Sequence, residues 1–129
     1  MRRELEIGAE SMKELHRRGV KVLPGGDYGF AWNPIGTNAR DLEHFVNYLN
    51  FTPMEAIVAA TKYGGQIMMR GEELGLIKEG YFADLLIVDG DPVKDISILQ
   101  DSSRLLGIMK DGNFHKRPSD QLAVQRQAA

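Results

Sequence analysis

The chain of 129 residues contains no cysteine. That excludes disulfides, thiolate metal sites and cysteine nucleophiles, and it suits a cytoplasmic protein. A dominant charge is also missing: 16 Lys and Arg against 18 Asp and Glu leave a net charge of -2. Without a basic face, no nucleic-acid partner is expected. Arg2-Arg3 and Arg17-Arg18 read as solvated helix ends. No apolar run approaches the roughly 18 residues a membrane helix needs, and the opening MRRELEIGAE lacks the apolar centre of a signal peptide. Neither a membrane nor an export role is expected. His16, His44 and His115 form no H-x-H or H-E-x-x-H pair. There is no phosphate-cradling glycine loop, and no serine stands in a nucleophile elbow.

What is present has order. Leu5, Gly8, Ala9, Met12 and Leu15 recur at three- and four-residue steps, which predicts a helix over 3–18, with Gly19 as its left-handed cap. Val20 to Leu23 reads as a short strand ended by Pro24, Gly25 and Gly26. A second helix is expected from Asn38, with Asn38 as N-cap and Leu42, Phe45, Val46 and Leu49 as its buried stripe. Thr52, Pro53 and Glu55 spell a capping box for a third helix, which Gly64-Gly65 interrupts or restarts. After Gly71 the texture changes. Leu76-Ile77, Leu85 to Val88 and Leu105 to Met109 read as strands, with Asp111-Gly112 as a type I′ hairpin turn. Asp91-Pro92 opens a turn or short helix, and Asp120 to Gln127 could form another. The expected organisation is an α/β piece over 1–70, a small β piece over 71–116 and a tail over 117–129.

One stretch asks for chemistry. In VLPGGDYGFAWNP, residues 22–34, Asp27 follows a glycine pair and precedes Tyr28, Phe30 and Trp32. A carboxylate past the end of a parallel strand lies where α/β folds put their sites, and it could hold a divalent metal or accept a proton. The plainer reading is a turn residue bonding its own backbone, and on local sequence that reading is the stronger. The three aromatics could wall a substrate pocket or simply fasten a long loop.

The order of motifs adds to this. GGDYGF is followed by RDLEHFVNYLNFTPMEAIVAATKYGGQIM, then LGLIKEGYFADLLIVDGDPVKDISIL, then GIMKDGNFHK. Over residues 20 to 116 this resembles the C-terminal end of the metal-dependent amidohydrolase superfamily, nearest its imidazolonepropionase-like and metal-dependent dipeptidase branch. The resemblance implies the C-terminal fragment of a (β/α)8 TIM barrel plus part of a small β-sandwich, with Val20 to Leu23 as the eighth barrel strand. It implies hydrolysis of amide-type C–N bonds in a dipeptide, cyclic amide or other small amide or peptide substrate, with a divalent metal, zinc, as cofactor. It assigns Asp27 as catalytic residue and metal ligand, reversing the local preference, and makes Tyr28, Phe30 and Trp32 substrate contacts. Gly25-Gly26-Asp27 stands where such enzymes carry Gly-Thr-Asp.

The family's His-x-His pair, lysine and later histidines match nothing here, and such a barrel needs about 250 residues. The chain therefore looks like the last third of an enzyme, whether truncated, cleaved or split. Alone it is expected to be inactive and to hold no metal tightly, because a catalytic site wants about three protein ligands. It is expected to need the missing N-terminal portion or self-association. The alternative is a non-catalytic binding or assembly module that keeps amidohydrolase-like pieces. A small α/β domain binding a ligand with its aromatic loop is a third, weaker reading.

Overall fold

A computed structural model describes residues 2–118. Helix α1 spans Arg2–Arg17. It ends in the bonding pattern its last turn encodes: Gly19 takes φ +79°, its N–H donates to His16 O (2.9 Å), and Val20 N–H donates to Leu15 O (3.0 Å). These bonds satisfy carbonyls that a helix end otherwise leaves bare. Helix α2 spans Arg40–Leu49 and α3 spans Pro53–Val58. A π-turn over Ala59–Tyr63 joins α3 to the short α4, Gly64–Ile67. Strands β1 (Leu85–Val88), β2 (Leu105–Lys110) and β3 (Asn113–Lys116) form one antiparallel sheet in the order β1-β2-β3. A 3-10 helix, Ile96–Gln100, lies in the β1–β2 connection.

The capping box forms in full. Thr52 Oγ1 accepts from Glu55 N–H (3.2 Å), and the Glu55 carboxylate accepts from Thr52 N–H (2.8 Å). The Thr52 N–H and the Thr52 hydroxyl, which also donates to that carboxylate (2.8 Å), hold the Glu55 carboxyl below its ordinary range, with His16 a smaller cause. The hairpin turn also forms: Asp111 and Gly112 both take positive φ, +50° and +74°. The Asp84 carboxylate accepts from Asp111 N–H (2.8 Å) and from Lys110, which ties the entry of β1 to the turn.

Three local expectations fail, each for a physical reason. Val20 to Leu23 forms no strand, because no other strand runs beside it among the described residues. Leu76-Ile77 is no strand either, and Ile77 is 91% exposed. Gly75, at φ +86°, turns the chain under the π-turn so closely that a Cβ there would sit 2.3 Å from Thr61 O. Asn38 does not cap α2: its Oδ1 accepts from Gly36 N–H (3.3 Å), and α2 starts behind Ala39 without a side-chain cap. The proposed helix over 120–127 lies outside the described residues.

The core is small and lies among the helices. Leu42 and Phe45 of α2, Phe51, Ala56 and Ala59 are buried, and Ile96 of the 3-10 helix joins them. Val22, Leu49 and Leu99 pack at its margin. Ala56 and Ala59 have no exposed surface, since small side chains let backbones approach. Phe51 is the common contact. Asn50 takes a left-handed φ of +61° to close α2, and the chain then turns Phe51 inward. Its ring stacks on His16 of α1 (centroids 3.7 Å apart) and tilts against Phe45 (4.8 Å). His16 Nε2 also lies 3.6 Å from Glu55 Oε1. One ring thereby joins α1, α2 and the start of α3.

Other apolar surface stays open. The face of α1 carrying Leu5, Gly8, Ala9 and Met12 borders a cleft of about 430 Å³ against α2 and residues 22–26, and Leu5 is 69% exposed. In the sheet, Leu86 and Ile87 are exposed. Among the described residues no helix is long and apolar enough to cross a membrane.

Phe51→Ala is expected to cost about 3–5 kcal/mol, the usual loss for a buried Phe. Thr52→Ala should cost about 1 kcal/mol through the lost cap. Urea melts of the two variants measure the difference; equal midpoints would show that Phe51 does not join the helices.

Candidate active site

Residues 20–26 carry the chain from α1 to the Asp27 loop. Val22 packs against the helical core, and Lys21 Nζ donates to Gln66 Oε1 (2.7 Å) while lying 5.2 Å from the Tyr63 ring centre. The segment is thus anchored by its side chains, with no strand pairing. Gly26 follows, with the Tyr28 ring folded back over it: a Cβ at Gly26 would lie 2.6 Å from that ring. Between them Asp27 takes φ +50°, a left-handed conformation that aspartate tolerates better than most residues. Its side chain is exposed and makes no hydrogen bond or ion pair within the described residues. A carboxylate presented in this way is available to something outside it.

The loop closes on itself through Asn33. Asn33 N–H donates to Phe30 O (3.0 Å), and Asn33 O accepts from Gly29 N–H (2.9 Å). The Asn33 side chain donates to Gly26 O and accepts from Arg40 Nη2 (3.0 Å). Phe30 and Trp32 stack nearly parallel, 5.0 Å apart at 7°. Trp32 is nevertheless 78% exposed, so the pair forms a ledge on the surface rather than a wedge into the core. Tyr28 is the aromatic that fastens. Its hydroxyl donates to Asn38 O at 3.5 Å, the limit of a hydrogen bond. Burial first, then Asp41, pushes the Tyr28 hydroxyl up to about 12, against a smaller opposing pull from Arg40.

The structure keeps Asp27, Tyr28, Phe30 and Trp32 in one loop without converging them on a single point. His16 is used in the Phe51 stack, His44 is exposed beside Tyr48, and His115 lies on exposed β3. Among the described residues no three His, Cys, Asp or Glu side chains come together as a metal site. The exposed Asp27 carboxylate has the chemistry of one metal ligand, and the described residues bring no group of three such donors together. Sequence reading missed Asn33 and Arg40. One signal for Arg40 was available: a cation in the first turn of α2 stands at the wrong end of the helix dipole.

The sequence profile of the Amidohydrolase family matches residues 2–114. The chain belongs to the amidohydrolase family. Ochratoxinase of Aspergillus niger is 31% identical over 107 residues, covering 79% of this chain and 21% of that protein. Imidazolonepropionase of Vibrio vulnificus is 28% identical over 109 residues, covering 83% of this chain and 27% of that protein. Among solved structures, a Xaa-Pro dipeptidase with methionine bound in its active site superposes with a TM-score of 0.74 at 30% identity, over 84% of this chain and 25% of that one. This amidohydrolase chain therefore spans about a quarter of the length of the relatives it matches. A hydrolase is thus supported at the level of the family, and the names of these relatives agree with the branch expected from the motifs.

The Tyr28 hydroxyl is expected to ionise near pH 12. Because its folded value is raised, its contribution to stability is present below the ordinary value of 10 and is lost as pH climbs toward 12. Ultraviolet-monitored alkaline titration should lose a step near pH 12 in Tyr28→Phe. An unchanged profile would show that the hydroxyl is freely solvated.

Proposed function

We propose that this chain supplies the Asp27 end of a metal-dependent hydrolase that cleaves amide-type C–N bonds in dipeptides, cyclic amides or related small molecules. The observation that carries the reading is the exposed, unpartnered carboxylate of Asp27, in a chain whose residues 2–114 match the family. The remaining ligands would come from protein outside these 129 residues, in line with the quarter-length match. In such a centre the metal supplies an acidified water. The chain's own part is proton transfer. Asp27 takes a proton from the attacking water as its oxygen bonds to the carbonyl carbon. The C–N bond then breaks, and the same proton passes from Asp27 to the departing nitrogen. The Phe30–Trp32 ledge and Tyr28 would border the substrate, offering apolar area beside the reacting carbonyl.

The open faces of α1 and the sheet support a second element of the proposal: the chain works joined to its complement or to another copy. Burying such faces is worth roughly 25 cal/mol per Å², and an exposed apolar surface of this kind favours association.

Calorimetric titration of the 129-residue chain with zinc should show no tight one-to-one complex, and amide substrates should not be turned over. Either result reversed would sink the partial-site reading. In a form carrying the segments its relatives have, Asp27→Asn is expected to lower kcat by about 10²–10⁴, the usual contribution of a positioned acid–base group. Full activity would remove Asp27 from the chemistry. Sedimentation should find the isolated chain associated rather than monomeric.

A further inference from the structure

We propose that Asn33 and Arg40 are positioning residues for Asp27, acting as a two-link clamp on its loop; the role in hydrolysis rests on the reading of Asp27 given above, while the clamp itself does not. The links run from Arg40 Nη2 to Asn33 Oδ1, then from Asn33 Nδ2 to Gly26 O, the carbonyl next to Asp27. On the other side of Asp27, the Asn33 carbonyl holds Gly29 N–H and its own N–H holds Phe30 O. A single asparagine thus grips the loop both before and after the carboxylate. Asp27 makes no side-chain bond of its own and sits at a positive φ. Its direction is therefore set by its neighbours.

Arg40 supports this from the helix side. It stands in the first turn of α2, where the dipole disfavours a cation. Its Nε–H is buried without a partner, a further cost. Helix stability explains neither feature. The bond to Asn33 gives Arg40 a use there, because α2 is packed into the core through Leu42 and Phe45 and makes a rigid base for the loop. A planar guanidinium anchored on a helix fixes its acceptor better than a flexible ammonium does.

The test uses the 129-residue chain in solution. Asp111 has the same φ of +50° in the hairpin, remote from the clamp, and serves as an internal control. In Asn33→Ala and in Arg40→Met, Gly29 amide exchange should accelerate roughly two- to tenfold, the effect of losing about one net hydrogen bond. The amide-to-α-proton coupling of Asp27 should move to an averaged value, while that of Asp111 stays. Arg40→Lys should restore part of the protection. The double variant should be no worse than Asn33→Ala, since both act through one chain of bonds. Unchanged Asp27 and Gly29 signals in Asn33→Ala would overturn the clamp, as would parallel changes at Asp27 and Asp111. Should Arg40→Met fail to fold, Asn33→Ala decides, because Asn33 lies outside the core. In a hydrolytically competent form, Arg40→Met should lower kcat and leave KM unchanged. A clamped loop in the chain together with a fully active Asp27→Asn enzyme would sink the functional reading and leave the clamp standing.

Discussion

Phe51 carries the arrangement on which the site depends. Its ring is 5% exposed, stacked under His16 and tilted on Phe45, so that α1, α2 and α3 meet at one side chain. Two local devices aim it there. Asn50 turns the chain out of α2 at a left-handed φ, and the Thr52–Glu55 box starts α3 at once. With α1 held at its C-terminal end, the segment after it must leave along the core. Val22 packs there, and Asp27 emerges five residues later. A carboxylate with no anchoring bond of its own is placed by an aromatic contact well away from it in sequence.

The rest of the chain is notable for how little it buries. Among the described residues the helical core holds six buried apolar side chains, and none of them belongs to α1 or to the sheet. An amphipathic helix with an open apolar face gives up the stabilisation that its own pattern offers. The same holds for a three-stranded sheet with exposed Leu86 and Ile87, and for a segment after α1 that has no strand beside it. Each leaves apolar surface open to solvent. The amidohydrolase relatives are about four to five times as long as the span matched here.

Features governed by neighbours in sequence were legible without coordinates. The Gly19 cap, the Thr52 box and the Asp111-Gly112 turn each depend on four to six consecutive residues, and each formed as read. The apolar stripe of α2, Leu42, Phe45, Val46 and Leu49, pointed to the buried side of that helix, because a helical period cannot place it elsewhere. Expectations that relied on remote partners fared differently. Val20 to Leu23 and Leu76-Ile77 have strand-like composition, but a strand exists only beside another. Composition says nothing about whether that neighbour is there.

The candidate site divides in the same way. From residue order alone came Asp27, its aromatic neighbours and the family that the motifs resemble. Only the tertiary structure decided that Trp32 lies on the surface, that Tyr28 folds over Gly26, and that Asn33 and Arg40 brace the loop from both sides. The reason is physical. Residue type sets what a side chain can do, whereas hydrogen bonds that cross seven residues are made only when a packed helix brings their ends within 3 Å.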